Sequence, residues 1–318
     1  MKKLLLGIAA VCLAGFTFAQ DAPLWMRHSV ISPDGTTIAF TYKGDIYTVP
    51  VAGGRAMQIT TNPAYDTAPV WSPDSKRIAF ASDRMGSLDV YIVAKDGGEP
   101  RRLTTHSGSE TPLAFTDAGH VLFSAGIMPS AEAVVFPSNG QFNQVYRVSV
   151  EGGRPTMISS MPMECISINK EGAMLYQDKK GYEDYWRKHH VSPIARDIWM
   201  YTPGKEPQYR QLTTFGVEDR EPVWAPDGKT FYYLSEENGS FNIYRRTPGD
   251  AKAVQLTHYT KNPVRYLSAA TDGRLCYGFD GEIYTLLPGG EAQKVNISIV
   301  SDRNDKDIIR QIKSSGAT

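Results

Sequence analysis

Cysteine is scarce, three residues in 318. Cys12 lies in the amino-terminal apolar run, which leaves Cys165 and Cys276, far apart in the chain. Two such residues give no disulfide framework and no Cys-x-x-Cys metal or redox pair, and they are expected to be buried free thiols. An excess of either charge is missing too: 34 Lys and Arg balance 34 Asp and Glu. With that balance nothing points to a sequence-independent nucleic-acid binder. The chain has no Gly-x-Ser-x-Gly elbow and no phosphate-binding glycine loop, so the common nucleophile and nucleotide signatures are absent. Its one conspicuous apolar run, Leu4 to about Phe18, is short for a membrane span. Lys2-Lys3 before the run and Thr17-Phe18-Ala19 before Gln20 give it the layout of a secretory signal over residues 1–19. The expectation is an exported chain, periplasmic or secreted, with no stable membrane span.

What the chain has in quantity is one repeated pattern. Residues 68–104 show it whole: APVWSPDSKRIAFASDRMGSLDVYIVAKDGGEPRRLT. Ser72-Pro73-Asp74-Ser75 is a turn, because proline presets φ and the short polar side chains bond their own backbone. Arg77 to Ala81 and Val90 to Val93 are strand-formers, Asp96-Gly97-Gly98 supplies a second turn, and Arg102-Leu103-Thr104 is expected to open a fourth strand. The first turn recurs with Gly35, Ser75, Gly119, Gly172, Gly228 and Gly273 as its last residue. A third-strand signature recurs at Asp45-Ile46-Tyr47, Asp89-Val90-Tyr91, Gln144-Val145-Tyr146, Asp197-Ile198-Trp199, Asn242-Ile243-Tyr244 and Glu282-Ile283-Tyr284. The Leu-Thr type pair recurs at 59–60, 103–104, 158–159, 212–213, 256–257 and weakly at 295–296. A lone meander cannot bury both faces, so copies spaced about 40 to 45 residues apart imply radial stacking. The expected fold is all-β, a six-bladed β-propeller of four-stranded antiparallel blades over residues 22–297. Residues 298–318 are expected to be a charged tail, serving as a linker or an edge strand, or the truncated start of a further module. Since each repeat holds its own four strands, the ring is expected to close by side-chain packing between blades 1 and 6, without a shared strand, unless residues 22–27 swap in. Trp71 and Trp224 occupy matching positions and are expected in the inter-blade core.

Blades 3 and 4 break the pattern alike. From the turn residue to the third-strand aromatic is 27 residues in both, against 11 to 16 in the others. Each therefore carries an insertion between its second and third strands, on the face where one blade connects to the next. Residues 126–142 are apolar and contain proline, while residues 178–196 are charged and aromatic. Loops on a rigid scaffold commonly carry binding, so the candidate binding residues come from this face: Lys179, Lys180, Tyr182, Arg187, His189 and His190 in the blade 4 insertion. Asp66, Glu110 and Arg220 join them from the blade connections, where acids recur and either face the channel or bond neighbouring blades. His189-His190 lacks the spacing of a zinc site. No metal, cofactor or catalytic residue is assigned.

The Ser32-Pro33-Asp34-Gly35 and Ala225-Pro226-Asp227-Gly228 turns, with the Ile-Ala-Phe, Asp-Ile-Tyr, Gly-Gly and Leu-Thr elements, resemble the propeller repeats of TolB and of tricorn-type proteases. Pro23-Leu24-Trp25-Met26-Arg27, Tyr42-Lys43-Gly44-Asp45-Ile46-Tyr47 and the Trp186 to Trp199 stretch more specifically resemble the first propeller of secreted tricorn-like peptidases. The resemblance implies a non-catalytic propeller that gates or binds peptides for a serine peptidase module absent from this chain. It transfers no catalytic residue, and Ser107 to Pro112 lacks the arginine pair that would act as the family's carboxylate anchor. Two other readings remain at this level. One is a stand-alone exported TolB-like protein-interaction module, and the other is an enzyme, such as a glycosidase or lyase, with carboxylates in its own channel.

Overall fold

In a computed structural model, which describes residues 23–127, 143–181, 192–214 and 216–300, the repeat folds for reasons visible at its turns. Gly35 takes φ +73° and its N–H donates to Ser32 O at 2.9 Å. Asp34 Oδ1 accepts from the Thr36 N–H at 3.0 Å, so the turn closes on its own side chain. Ser75 replaces glycine in blade 2 and still takes φ +58°. Its hydroxyl accepts from the Asp34 N–H of the neighbouring blade at 3.1 Å.

Six four-stranded antiparallel sheets follow, each paired in simple sequence order. Their first strands are Arg27–Ile31, Asp66–Trp71, Glu110–Asp117, Glu164–Ile168, Asp219–Trp224 and Arg265–Ala269. Each first strand neighbours the next, and that of blade 6 returns to blade 1, so the innermost strands form a closed ring. The buried core divides in the same way, one cluster per blade junction. The cluster between blades 6 and 1, for example, joins Ile38, Phe40 and Tyr47 to Cys276, Ile283 and Val295. Trp71 Nε1 donates to Val30 O of blade 1 at 3.0 Å and Trp224 Nε1 to Ala173 O of blade 4 at 3.1 Å. Both tryptophans are inter-blade, as expected. Cys165 and Cys276 are free thiols.

Two expectations need correction. The Leu-Thr pair does not open the fourth strand in most blades; it follows it. The fourth strands Met57–Gln58, Arg101–Arg102, Gln208–Gln211, Val254–Gln255 and Gln293–Lys294 end just before the pair, and only Thr156–Ser159 contains it. The pair turns back on the third strand instead. The hydroxyls of Thr60, Thr104, Thr213 and Thr257 each accept at 2.9 Å from the N–H of Ile46, Val90, Ile198 and Ile243. The short strand leaves those third-strand N–H groups unpaired, and threonine satisfies them.

The second correction concerns closure. Side chains do pack between blades 1 and 6 and no blade borrows a strand. Backbone nevertheless crosses the seam: Ile297–Ser298, beyond blade 6, pairs in parallel with Gly54–Arg55 of blade 1. Gly54 N donates to Asn296 O at 2.8 Å and Ala56 N to Ser298 O at 2.9 Å. Residues 23–26 add no strand, but Met26 N donates to Gly281 O at 3.1 Å on the rim of blade 6.

Candidate functional site on the insertion face

In an antiparallel meander the loop from second to third strand and the connection to the next blade emerge on one face. Both insertions are rooted there. The blade 3 stem runs from the Ala125–Gln144 pair, and Tyr146 Oη donates to Ile127 O at 2.9 Å to hold the outgoing chain down. The blade 4 stem is tied more heavily. Asp178 N donates to Asp197 O at 3.0 Å, Asp197 N returns to Asp178 Oδ1 at 2.9 Å, and Trp199 Nε1 donates to Asp178 Oδ2 at 3.1 Å.

The candidate lysines serve this stem. Lys180 Nζ donates to Ala195 O at 2.7 Å and to the Asp197 carboxylate, bridging the outgoing and returning chains. Lys179 pairs with Glu164 at 3.4 Å. Beside them Arg196 Nε reaches Glu164 at 3.1 Å and Nη1 reaches Glu218 at 2.7 Å, and Arg220 Nη2 meets the same Glu218 oxygen at 2.6 Å. This chain of alternating charge fastens the insertion to blade 5. Burial pushes the Glu164 carboxyl up, but Arg196, Gln177 and Lys179 outweigh it and hold the group below its ordinary value. The arrangement positions a loop and polarises its base. Among the described residues no group of three or more His, Cys, Asp or Glu is placed to hold a metal ion.

The other candidates divide. Tyr182, Arg187, His189 and His190 lie outside the described residues, as does most of the blade 3 insertion, from 128 to 142. Asp66, Glu110 and Arg220 are brought to the blade junctions, fully buried. Asp66 is held by Arg84 Nη2 at 3.0 and 2.9 Å. Arg220 lies over the Phe241 ring, 5.0 Å from its centroid. Glu221 spans three blades: its N–H donates to Gln177 Oε1 of blade 4 at 2.9 Å, and its Oε2 accepts from Leu267 N of blade 6 at 2.8 Å.

The residue candidates drawn from the sequence left out one feature of this face. A cavity of about 490 Å³ opens beside blade 6, lined by Leu24, Trp25, Arg27, Arg265, Tyr266 and Phe279 among others. Trp25 is 72% exposed at φ +70°, a conformation unusual for a bulky residue. His28 stacks on Tyr266 at 4.9 Å. Burial, with the neighbouring Arg27 charge, pulls its imidazole down to about 4. The sequence signal was the unpartnered Leu24-Trp25 pair ahead of the first blade, but nothing in it tied those residues to blade 6.

The described residues form a closed six-bladed propeller with the stems of two adjacent loop insertions rooted on one rim. Comparison with known proteins then places it. Residues 23–292 match the tricorn protease N-terminal beta propeller domain, and the chain belongs to that family. It is 26% identical over 289 residues to Tricorn protease homolog 1 of Streptomyces coelicolor, covering 89% of this chain and 26% of the relative. It is 24% identical over 298 residues to a tricorn protease homolog of Saccharolobus solfataricus, covering 88% and 26%. The crystal structure of the tricorn protease superposes with a TM-score of 0.73 at 19% identity, over 89% of this chain and 27% of that one. The chain thus spans about a quarter of the length of these relatives.

Proposed function

We propose that this propeller binds peptides on its insertion face and gates their passage to a serine peptidase module that lies outside this chain, in an exported, periplasmic or secreted setting. The observation that carries the reading is the rooting of both long insertions side by side on the rim where the blades connect. A ring packed at every junction is a rigid frame, and paired loops on such a frame suit selection of extended chains better than covalent chemistry. The residues at the loop base are engaged in ion pairs, which leaves peptide contact to the loops and channel mouth and catalysis to another module. Family membership supports a peptidase context, and the signal-like residues 1–19 support export.

The test is a binding titration of the purified chain with a library of unstructured fluorescent peptides, repeated after replacing 128–142 and 182–191 by short glycine-containing turns. Affinity should fall at least about tenfold in the trimmed chain with its unfolding midpoint unchanged, a loss of about 1.4 kcal/mol or more. Equal binding by trimmed and intact chains, or none by either, would refute the proposal.

A further inference from the structure

Three blade junctions carry the same set of side chains. A carboxylate heads the third strand of one blade, a threonine follows its fourth strand, and six residues on a second acid heads the first strand of the next blade. The sets are Asp45, Thr60, Asp66; Asp89, Thr104, Glu110; and Asp197, Thr213, Asp219. All six acids are buried. Between blades 5 and 6 the connection is one residue longer, and the positions matched by backbone hydrogen bond hold Asn242 and Val264, whose N–H donates to Phe241 O as that of Glu110 does to Leu88 O, so the junction itself does not require charge.

The three sets differ in what faces the second acid. Asp66 has Arg84, eighteen residues on, at 2.9 Å. Asp219 has Glu237 at the same interval, in the equivalent loop: Ser82 pairs opposite Asp66 and Ser235 opposite Asp219, and Gly86 N and Gly239 N close the two loops on Asp83 O and Glu236 O at 2.8 Å. A cation in blade 2 is thus replaced by an anion in blade 5. Glu110 has the Asp89 carboxylate beside it, and the nearby Arg102 is paired to Asp89 at 2.9 Å. Both oxygens of Glu110 and of Asp219 are buried, and among the described residues neither acid has an ion-pair partner; what approaches them is the Thr104 hydroxyl and the His106 N–H for Glu110, and the Ser235 and Thr213 hydroxyls for Asp219. A buried anion facing other anions without a cation is expensive, whereas a neutral carboxyl is not, and that of Glu110 can donate to Asp89.

We propose that Glu110 and Asp219 are proton-held latches, closing as neutral acids the two junctions that bound the insertion-bearing blades 3 and 4, and loosening them on ionisation. Burial, reinforced by Asp89 for Glu110 and by Asp197 and Glu237 for Asp219, raises both carboxyls to about 7. The other charged groups near Glu110 are Arg102, held on Asp89, and His106 of the connection, while the Asp66–Arg84 pair acts on Tyr91 beside Asp89 and Arg102. Around Asp219 they are Lys180 on Asp197, Glu236 of its own loop, Arg246 beyond Tyr233, and the Arg196–Glu218–Arg220 chain. With folded values above the unfolded ones, these acids stabilise their junctions most at low pH, and that stabilisation is lost as pH rises through about 7.

Amide hydrogen exchange of the whole chain, corrected for intrinsic rates, tests the latch independently of any peptide. Between pH 5.5 and 8, protection at Leu103 and Glu110, and at Leu212 and Asp219, should fall about 30-fold. Glu110→Gln should flatten the first profile alone, and Asp219→Asn the second alone. Glu237→Arg keeps Asp219, changes only an exposed side chain and supplies the cation found in blade 2, so it too should flatten the second profile. A pH-independent wild type overturns the proposal whatever the variants do. So does a full pH response in Glu110→Gln or Glu237→Arg, which would assign the response to His106 or another group.

Discussion

Threonine at 60, 104, 213 and 257 does with a hydroxyl what a fourth strand of two to four residues cannot. It accepts from the one third-strand N–H that the short strand leaves open. Thr104→Val keeps the shape and removes that acceptor, so the Val90 N–H is buried unpaired. The substitution should lower stability by about 1–3 kcal/mol, read as a shift in urea midpoint at unchanged slope. The residue type and spacing of this pair were plain in the sequence, but its role was not, because a bond from position 104 to position 90 depends on where the fourth strand stops. The candidate acids show the same limit. Their recurrence at the connections was legible, whereas the identity of each partner was not, since Arg84 over Asp66 and Glu237 over Asp219 follow from a loop geometry that no local pattern encodes.

At the scale of the element, blade number and strand order were readable because every blade repeats its turn, its third-strand aromatic and its terminal pair. Ring closure was only half readable. The packing of blade 6 on blade 1 follows from amphipathic strands, but the parallel pairing of Ile297–Ser298 with Gly54–Arg55 joins two strands too short to carry a sequence period. Gly53 exposes the tightness of that seam. It holds φ +85°, and a Cβ there would lie 2.5 Å from Asn296 O. Gly53→Ala therefore meets both a left-handed backbone penalty and a backbone clash, and should cost at least about 1–2 kcal/mol. A clearly larger drop in thermal midpoint in Gly53→Ala than in Gly54→Ala, where φ is also positive (+113°) but the space is open, would separate the clash from the backbone penalty. An unchanged midpoint in Gly53→Ala would mean that the seam does not bear on stability.

As a whole, the molecule is a ring whose two faces differ in what they do. On the turn face the blades interlock: Thr271 N and Oγ1 both donate to Pro33 O at 2.9 and 2.7 Å, and Asn169 Nδ2 donates to Gly228 O at 3.1 Å. On the opposite face, charged and aromatic groups tie down the stems of the two insertions and border the cavity beside Trp25. The central claim is that peptides engage this second face. Photo-crosslinking tests it most directly, with a peptide carrying a photoreactive phenylalanine and the adducts located by mass spectrometry. The account predicts adducts confined to the two insertions, residues 24–27 and the blade 6 rim at 262–266 and 279–282. Adducts on the turn face at 32–35, 72–75 or 225–228, or spread evenly over the outer edges of the blades, would contradict it.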